Sequence, residues 1–331
     1  MTGWTYMENG FWELEAGGKR ILKACARAES ADGRQVDTRT ARLESRMEEN
    51  GILTLRFLGD EGLILTERLS VSEGGMAWAD CTLQEADGSN AAAGLLIPLI
   101  FSAPDTKESG SAPAIWKDLW VRMLCVPYDN TMWLRYEALP LRAGRRSYDL
   151  TVLYSEDSRE GILVGALDFD RWKNGVVCSA TDANTLEARC GVADEGTHDT
   201  QPHGILHGAQ VSSSRFGILY GPDYRRLLEA YGDFLSSERP PLKWEHGVPF
   251  GFNSWAGLAF RLNEERYEKS AEFLRTQLMP EGYENQGITY ANLDAGWNVM
   301  TPERLAAQAQ RLHQAGQKAG IYDAPFAFFG R

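Results

Sequence analysis

Between about residue 21 and about residue 220 apolar positions recur with period two, in short runs parted by Gly, Asp, Asn and Ser. Runs at 51–57, 63–69, 77–83, 148–153 and 161–167 are of this kind. Alternation of that sort predicts half-buried strands, and more than ten such segments at short intervals predict two large packed antiparallel sheets, a β-sandwich. The period changes at Tyr224, where Leu227, Leu228, Tyr231 and Leu235 fall on one helical face. The residues 236–243 carry Pro240 and Pro241 and are predicted to form a linker that cannot continue the helix.

Beyond about residue 247 the pattern changes again. Gly251-Phe252-Asn253-Ser254-Trp255, Tyr290-Ala291-Asn292-Leu293-Asp294-Ala295-Gly296-Trp297 and Lys318-Ala319-Gly320-Ile321-Tyr322-Asp323-Ala324-Pro325 each close a short apolar run on polar or turn-forming residues. Two helices are predicted between them. In the first, Asn263 caps, Glu264 and Glu265 fill the positive first turn, Tyr267, Ala271, Leu274 and Leu278 share a face, and Pro280 and Gly282 end it. In the second, Thr301 caps, Pro302 takes the first helical position, Leu305, Ala309 and Leu312 form the buried stripe, and Gly316 ends it. Short strands alternating with helices imply a parallel sheet, whose chemistry sits at the carboxyl ends of the strands. The expected fold is therefore multidomain β and α/β: a large antiparallel β-sandwich over 1–240, ending in a helix and linker, followed over 247–331 by the first βαβαβ portion of a TIM (β/α)8 barrel.

In order and spacing, these three blocks resemble the motifs of the alpha-galactosidase (melibiase) group of glycoside hydrolases. Members of that group carry Gly-aromatic-Asn-Ser-Trp on the first barrel strand, Asn-Leu-Asp-Asp before a Gly or Cys and a Trp on the second, and Gly-aliphatic-Tyr on the third. The likeness covers roughly the last quarter of the chain. It implies that Trp255 lines a sugar pocket, that Asp294 accepts hydrogen bonds from sugar hydroxyls and that Tyr322 adds a wall, with Trp297 and Asp323 as further substrate-binding candidates. The bland alternative for the two tryptophans is barrel packing, and for Asp294 a turn aspartate. Where the group has two adjacent acids, this chain has Asp294 followed by Ala295, so Asp323 is the residue placed to substitute for the second acid.

A retaining glycosidase needs two carboxyl groups about 5 Å apart, and the three blocks supply only the cradle around them. The group's nucleophile lies in a Lys-x-Asp motif on a fourth strand, with the acid/base beyond it. A closed barrel takes ~250 residues. The expectation is an N-terminal portion of a retaining glycoside hydrolase that cleaves a terminal α-linked sugar, with catalytic residues beyond Arg331. The alternative is a non-catalytic carbohydrate-binding or scaffold protein with a degenerate barrel.

Composition narrows the partners. The 331 residues are 43% hydrophobic and 24% charged with a net charge of -12, which speaks against nucleic acid. No apolar run reaches membrane-spanning length, and the N-terminus lacks the basic and apolar regions of a signal peptide. Five scattered cysteines suit reduced, buried thiols and a cytoplasmic protein. The expected partner is an α-linked oligosaccharide or glycoside, with no cofactor and no metal. An open sheet edge would also give a route to homo-oligomers. Two segments invite other readings: 124–136, whose aromatics suggest either a sugar-stacking lip or hairpin packing, and 197–207, where His198, Asp199, His203 and His207 sit close together on a loop broken by Pro202 and Gly204.

Overall fold

The computed structural model describes residues 2–105, 111–118, 120–127, 135–191, 204–245 and 247–323. The aromatic centre of segment 124–136, together with His198, Asp199 and His203, lies outside them. The chain forms two compact units, Met1–Pro240 and Pro241–Arg331.

In the first unit the described residues build two antiparallel sheets of nine and ten strands. The first runs in the order Thr2–Tyr6, Trp12–Ala16, Lys19–Ser30, Ala91–Ser102, Leu186–Cys190, Asn174–Cys178, Arg146–Tyr148, with Gln35–Asp37 and Leu206–Gly208 paired to it. The second runs Glu137–Pro140, Arg122–Cys125, Leu150–Tyr154, Gly161–Ala166, Phe216–Gly221, Ala77–Glu85, Leu63–Val71, Ile52–Leu58, Arg42–Glu49, with Val211–Ser212 beside Ala77–Glu85. Alternate side chains of both sheets meet in one core: Trp12, Leu14, Ala24, Ala26 and Phe101 from one, Leu55, Phe57, Leu65, Leu69 and Leu83 from the other. Strand structure begins at Thr2, earlier than the pattern predicts, because the N-terminal segment gains its pairing from Trp12–Ala16.

The helix Tyr224–Glu238 covers the outer side of the ten-stranded sheet. Asp223 caps it by accepting from the Arg225 N–H, and Leu227 and Tyr231 pack with Met76, Val152, Tyr154, Leu163 and Leu167. All six positions of Gly161–Ala166 are consequently buried, with Ile162 and Val164 in the sandwich core and Leu163 under the helix. Gly165 makes room for the Tyr231 ring, since a Cβ there would lie 2.9 Å from it.

Two expectations need correction. The helix continues through Ser236–Glu238 and ends at Arg239, the residue before Pro240, which proline sterics keep out of the helical region. It is held that far by the Ser237 hydroxyl donating to Phe234 O at 2.7 Å and by the Glu238–Arg215 ion pair at 2.9 Å. The run 148–153 is two strands in two sheets. Asp149 takes a left-handed φ of 56°, so Arg146–Tyr148 pairs with Asn174–Cys178 in one sheet and Leu150–Tyr154 pairs with Gly161–Ala166 in the other.

In the second unit the described residues form a three-stranded parallel sheet, Gly251–Asn253, Tyr290–Leu293 and Lys318–Ile321, with the middle strand second in sequence. Glu264–Phe273 and Pro302–Gln314 are the connecting helices, capped by Asn263 and Thr301. Tyr267, Ala271, Leu274 and Leu312 are buried, as is Gln308, a position that helical periodicity did not mark. Gln308 donates to Glu264 and Glu268, and the Tyr267 hydroxyl donates to Ala291 O at 2.8 Å, which ties the first helix to the middle strand. Gly251 permits the close strand pairing, because a Cβ there would lie 2.0 Å from Tyr290 O.

Candidate functional site

Strand alternation sorts the side chains of the small sheet. Phe252, Ala291, Leu293 and Ala319 join the apolar cluster under the helices with Tyr267 and Leu312. The other face therefore carries Asn253, Asn292 and Gly320, which are in register across the three strands. One step further toward the carboxyl ends the same face carries Asp294 and Tyr322, brought side by side because the Tyr322 N–H donates to Leu293 O at 2.6 Å. Gly320 leaves room for Asn292, whose Oδ1 would be 2.5 Å from a Cβ at that position.

The first strand delivers Trp255 by a sharp turn into the short helix Ser254–Leu258. Asn253 caps that helix, its Oδ1 accepting from the Trp255 N–H at 2.9 Å, while its Nδ2 donates to Asp294 Oδ2 at 2.8 Å. The Ser254 hydroxyl, buried to 1% exposure, accepts from the Asp294 N–H at 2.9 Å. Asp294 Oδ1 accepts from the Ala295 N–H at 2.6 Å. The carboxylate is thus oriented by neutral donors, and among the described residues no ion pair reaches it.

Trp255 is 38% exposed and meets Phe260 edge-on, with ring centroids 5.1 Å apart. Between these two residues Ala259 holds φ 44° and ψ -129°, a strained backbone for a residue with a Cβ. Tyr322 is 39% exposed. Two partly exposed aromatics and an oriented carboxylate thus share one end of the sheet, groups of the kind that a sugar ring can use: apolar pyranose faces stack on aromatics while hydroxyls donate to a carboxylate. Trp297 takes a different place. It follows Gly296 in the left-handed region and packs, half-buried, against the cluster that holds Leu262 and Met300. Asp323 follows Tyr322 and is exposed. The structure brings Trp255, Asp294 and Tyr322 to one end of the sheet, and it adds Asn253 and Ser254, which had no role in the motif reading. Their signal was in the sequence, as an Asn in N-cap position two residues before Trp255, with Ser254 between them.

No family model matches the chain, and no curated protein matches it. Solved structures do. A beta-arabinopyranosidase is similar over 99% of this chain and 54% of its own, with a TM-score of 0.65 and 13% identity. An alpha-N-acetylgalactosaminidase from Bifidobacterium bifidum, in its GalNAc complex, is similar over 98% of this chain and 59% of its own, with a TM-score of 0.52 and 12% identity. The chain therefore shares its fold with parts of these two solved structures. The chain spans between half and three-fifths of the length of these glycosidases.

Within that fold a groove of about 530 Å³ lies between the two helices of the small unit, lined by Ala271, Gln308, Leu312 and Gln317. Gln317, the residue before the third strand, is in its lining, and none of Trp255, Asp294 and Tyr322 is. Among the described residues no three His, Cys, Asp or Glu side chains are grouped to hold a metal, and His207 sits exposed on its own short strand. All five cysteines are free and four are buried. No helix among the described residues is long and apolar enough to cross a membrane.

Proposed function

We propose that this chain carries the β-sandwich and the sugar-holding first strands of the catalytic barrel of a retaining, alpha-galactosidase-like glycoside hydrolase. Its substrate is a terminal α-linked sugar. The observation that carries the reading is the convergence of Trp255, Asp294 and Tyr322 at the carboxyl ends of three parallel strands, with Asp294 held from two sides. The likeness to two glycosidases, each with further chain of its own, supports it. In this reading Asp294 takes the proton ends of two sugar hydroxyls, Trp255 and Tyr322 form the walls, and Trp297 and Asp323 contribute at the rim. The nucleophile and the acid/base belong to strands that continue the sheet from the open edge of Lys318–Ile321.

The test uses the natural gene product that contains this chain and a panel of aryl glycosides: α-galactoside, β-arabinopyranoside and α-N-acetylgalactosaminide. Asp294→Asn is expected to lower kcat/KM by about 10 to 200-fold on every substrate cleaved, the value of one charge-assisted hydrogen bond. An unchanged kcat/KM removes Asp294 from the sugar cradle. Ala295→Asp is expected to sharpen the preference for the galactoside by restoring the second acid. Saturable sugar binding without turnover would favour a carbohydrate-binding protein instead.

A further inference from the structure

We infer that Asn253 is the positioning residue of this site, a single amide that locks Trp255 and Asp294 to one another. This rests on the proposed sugar cradle and adds the residue that sets its geometry. The amide has two ends and both are committed. Its oxygen accepts from the Trp255 N–H at 2.9 Å, and its nitrogen donates to Asp294 Oδ2 at 2.8 Å. Only one orientation of the amide satisfies both contacts, since a flipped group would set an oxygen against the carboxylate and an N–H against an N–H.

The consequence is a fixed spacing between two groups 39 residues apart in the chain, one the stacking wall and one the hydroxyl acceptor. Ser254 holds the Asp294 backbone through its N–H, so Asn253, from across the sheet, and the neighbouring Ala295 N–H set the direction of the carboxylate itself. Asp294 Oδ2 receives one hydrogen bond from Asn253 and Oδ1 one from Ala295 N–H, which leaves each oxygen a lone pair for a sugar hydroxyl. Without the Asn253 donor the carboxylate is held at Oδ1 alone, by the Ala295 N–H, and the geometry that two hydroxyls require is less well prepared in advance.

The two ends of the amide can be separated by substitution. Asn253→Asp keeps an oxygen to cap the Ser254–Leu258 helix, and aspartate caps as well as asparagine. It replaces the donor with a second carboxylate facing Asp294, and two carboxyls in contact hold one proton between them to higher pH than either would alone. While that proton is present it can donate across the pair and reproduce the lost contact. Asn253→Ala removes cap and donor together.

The experiment measures binding of methyl α-galactoside and methyl β-arabinopyranoside to the natural gene product by calorimetry between pH 5 and pH 8, with thermal melts of the same samples. Wild type is expected to bind with one affinity across the range. Asn253→Asp should bind about tenfold more weakly at pH 8 and recover most of that loss at pH 5, with little change in Tm at pH 5. Asn253→Ala should be weak at every pH. Asn253→Asp binding like wild type at pH 8 overturns the inference and leaves Asn253 a helix cap only. Should wild type bind neither sugar, the proposed function fails, and the carboxyl 13C titration of Asn253→Asp decides the positioning by itself. Residues 253 and 294 titrating as a coupled pair with one proton retained above pH 6 supports it, and two independent titrations at ordinary carboxylate values overturns it.

Discussion

Replacing Glu67 by Met should stabilise the sandwich, and the gain should grow with pH. Glu67 lies on Leu63–Val71 at an inward position of the series Leu63, Leu65, Glu67, Leu69, opposite Leu55 on one side and Cys81 on the other. It is 0% exposed, and among the described residues neither carboxyl oxygen has a hydrogen-bond partner. Burial first, and the neighbouring Asp80 second, push its pKa well above the ordinary 4.5; Arg68 pulls the other way but is committed to Asp80 through contacts of 2.8 and 2.5 Å. In the folded chain the group keeps its proton, while in the unfolded chain it ionises near pH 4.5. The contribution is therefore fully present below pH 4.5 and is lost as pH rises, at about 1.4 kcal/mol per pH unit, until the folded pKa is reached. Met has nearly the same length and no charge to bury, so Glu67→Met should gain on wild type at that slope for each pH unit between 4.5 and the raised folded pKa. For a unit of this size each such pH unit should widen the Tm difference by roughly 3–6 °C. Melts of wild type, Glu67→Met and Glu67→Gln at pH 5, 6, 7 and 8 check it. Gln removes the titration but leaves a buried amide, so it should share the flat pH profile of Met at lower stability. If the Tm difference between wild type and Glu67→Met is constant from pH 5 to pH 8, Glu67 has a partner that satisfies its charge and the reasoning fails.

Asp149→Asn should raise the Tm more at pH 7.5 than at pH 5, because burial lifts the Asp149 pKa to about 6 from 3.8, so its contribution is lost as pH rises through that value. Asn also accepts the left-handed φ of 56° at this sheet-switching position, and equal gains at both pH values would show that backbone fit alone is at work. Gly251→Ala should abolish folding of the small unit, seen as loss of amide exchange protection in Tyr290–Leu293, because the clash at 2.0 Å is with backbone. Gly320→Ala should cost only about 1–3 kcal/mol by the same measurement, because its clash at 2.5 Å is with the end of the Asn292 side chain. Ala259→Gly should stabilise that unit by roughly 1 kcal/mol in denaturant unfolding, by relieving the φ 44° strain.

The parts of this structure legible in the sequence are those where a local pattern and the tertiary environment agree. Strands such as Ile52–Leu58 alternate because one face meets the opposing sheet, and the helices of the small unit announce themselves by Asn263 and by Thr301 with Pro302. The helix end at Glu238 was hidden because the contacts that extend it, from Arg215 and Phe234, include one 23 residues away. The strand break at Asp149 was hidden because an aspartate between apolar residues reads as the polar phase of one strand, whereas here it carries the chain from one sheet to the other. Glu67 is the converse: alternation assigns it to the core, and its charge invites the opposite reading. At the candidate site, the strand ends follow from pattern, and Trp255, Asp294 and Tyr322 were singled out by the resemblance of the blocks that carry them. The Asn253–Asp294 contact does not, since it requires the register that sets Gly251–Asn253 beside Tyr290–Leu293.

That contact also bears on the position where this chain departs from the galactosidase pattern. Asp294 stands at the end of a strand whose residues Ala291 and Leu293 are buried, and the partners of its carboxyl are an amide and a backbone N–H. Neutral dipoles orient a carboxylate without quenching it as an adjacent arginine would, so its oxygens remain strong acceptors for hydroxyl protons. Ala295 fits this economy: its N–H turns back to Asp294 Oδ1, and its side chain adds no second charge for those dipoles to offset. In the proposed reading, selectivity between sugar epimers then comes from groups that meet the ring from other directions. Within the small unit, Tyr322 shares the inward face with Asp294, and Asp323 follows it directly in the chain. In the proposed reading the substitute for the missing acid is therefore sought at Asp323 or on strands that would continue the sheet.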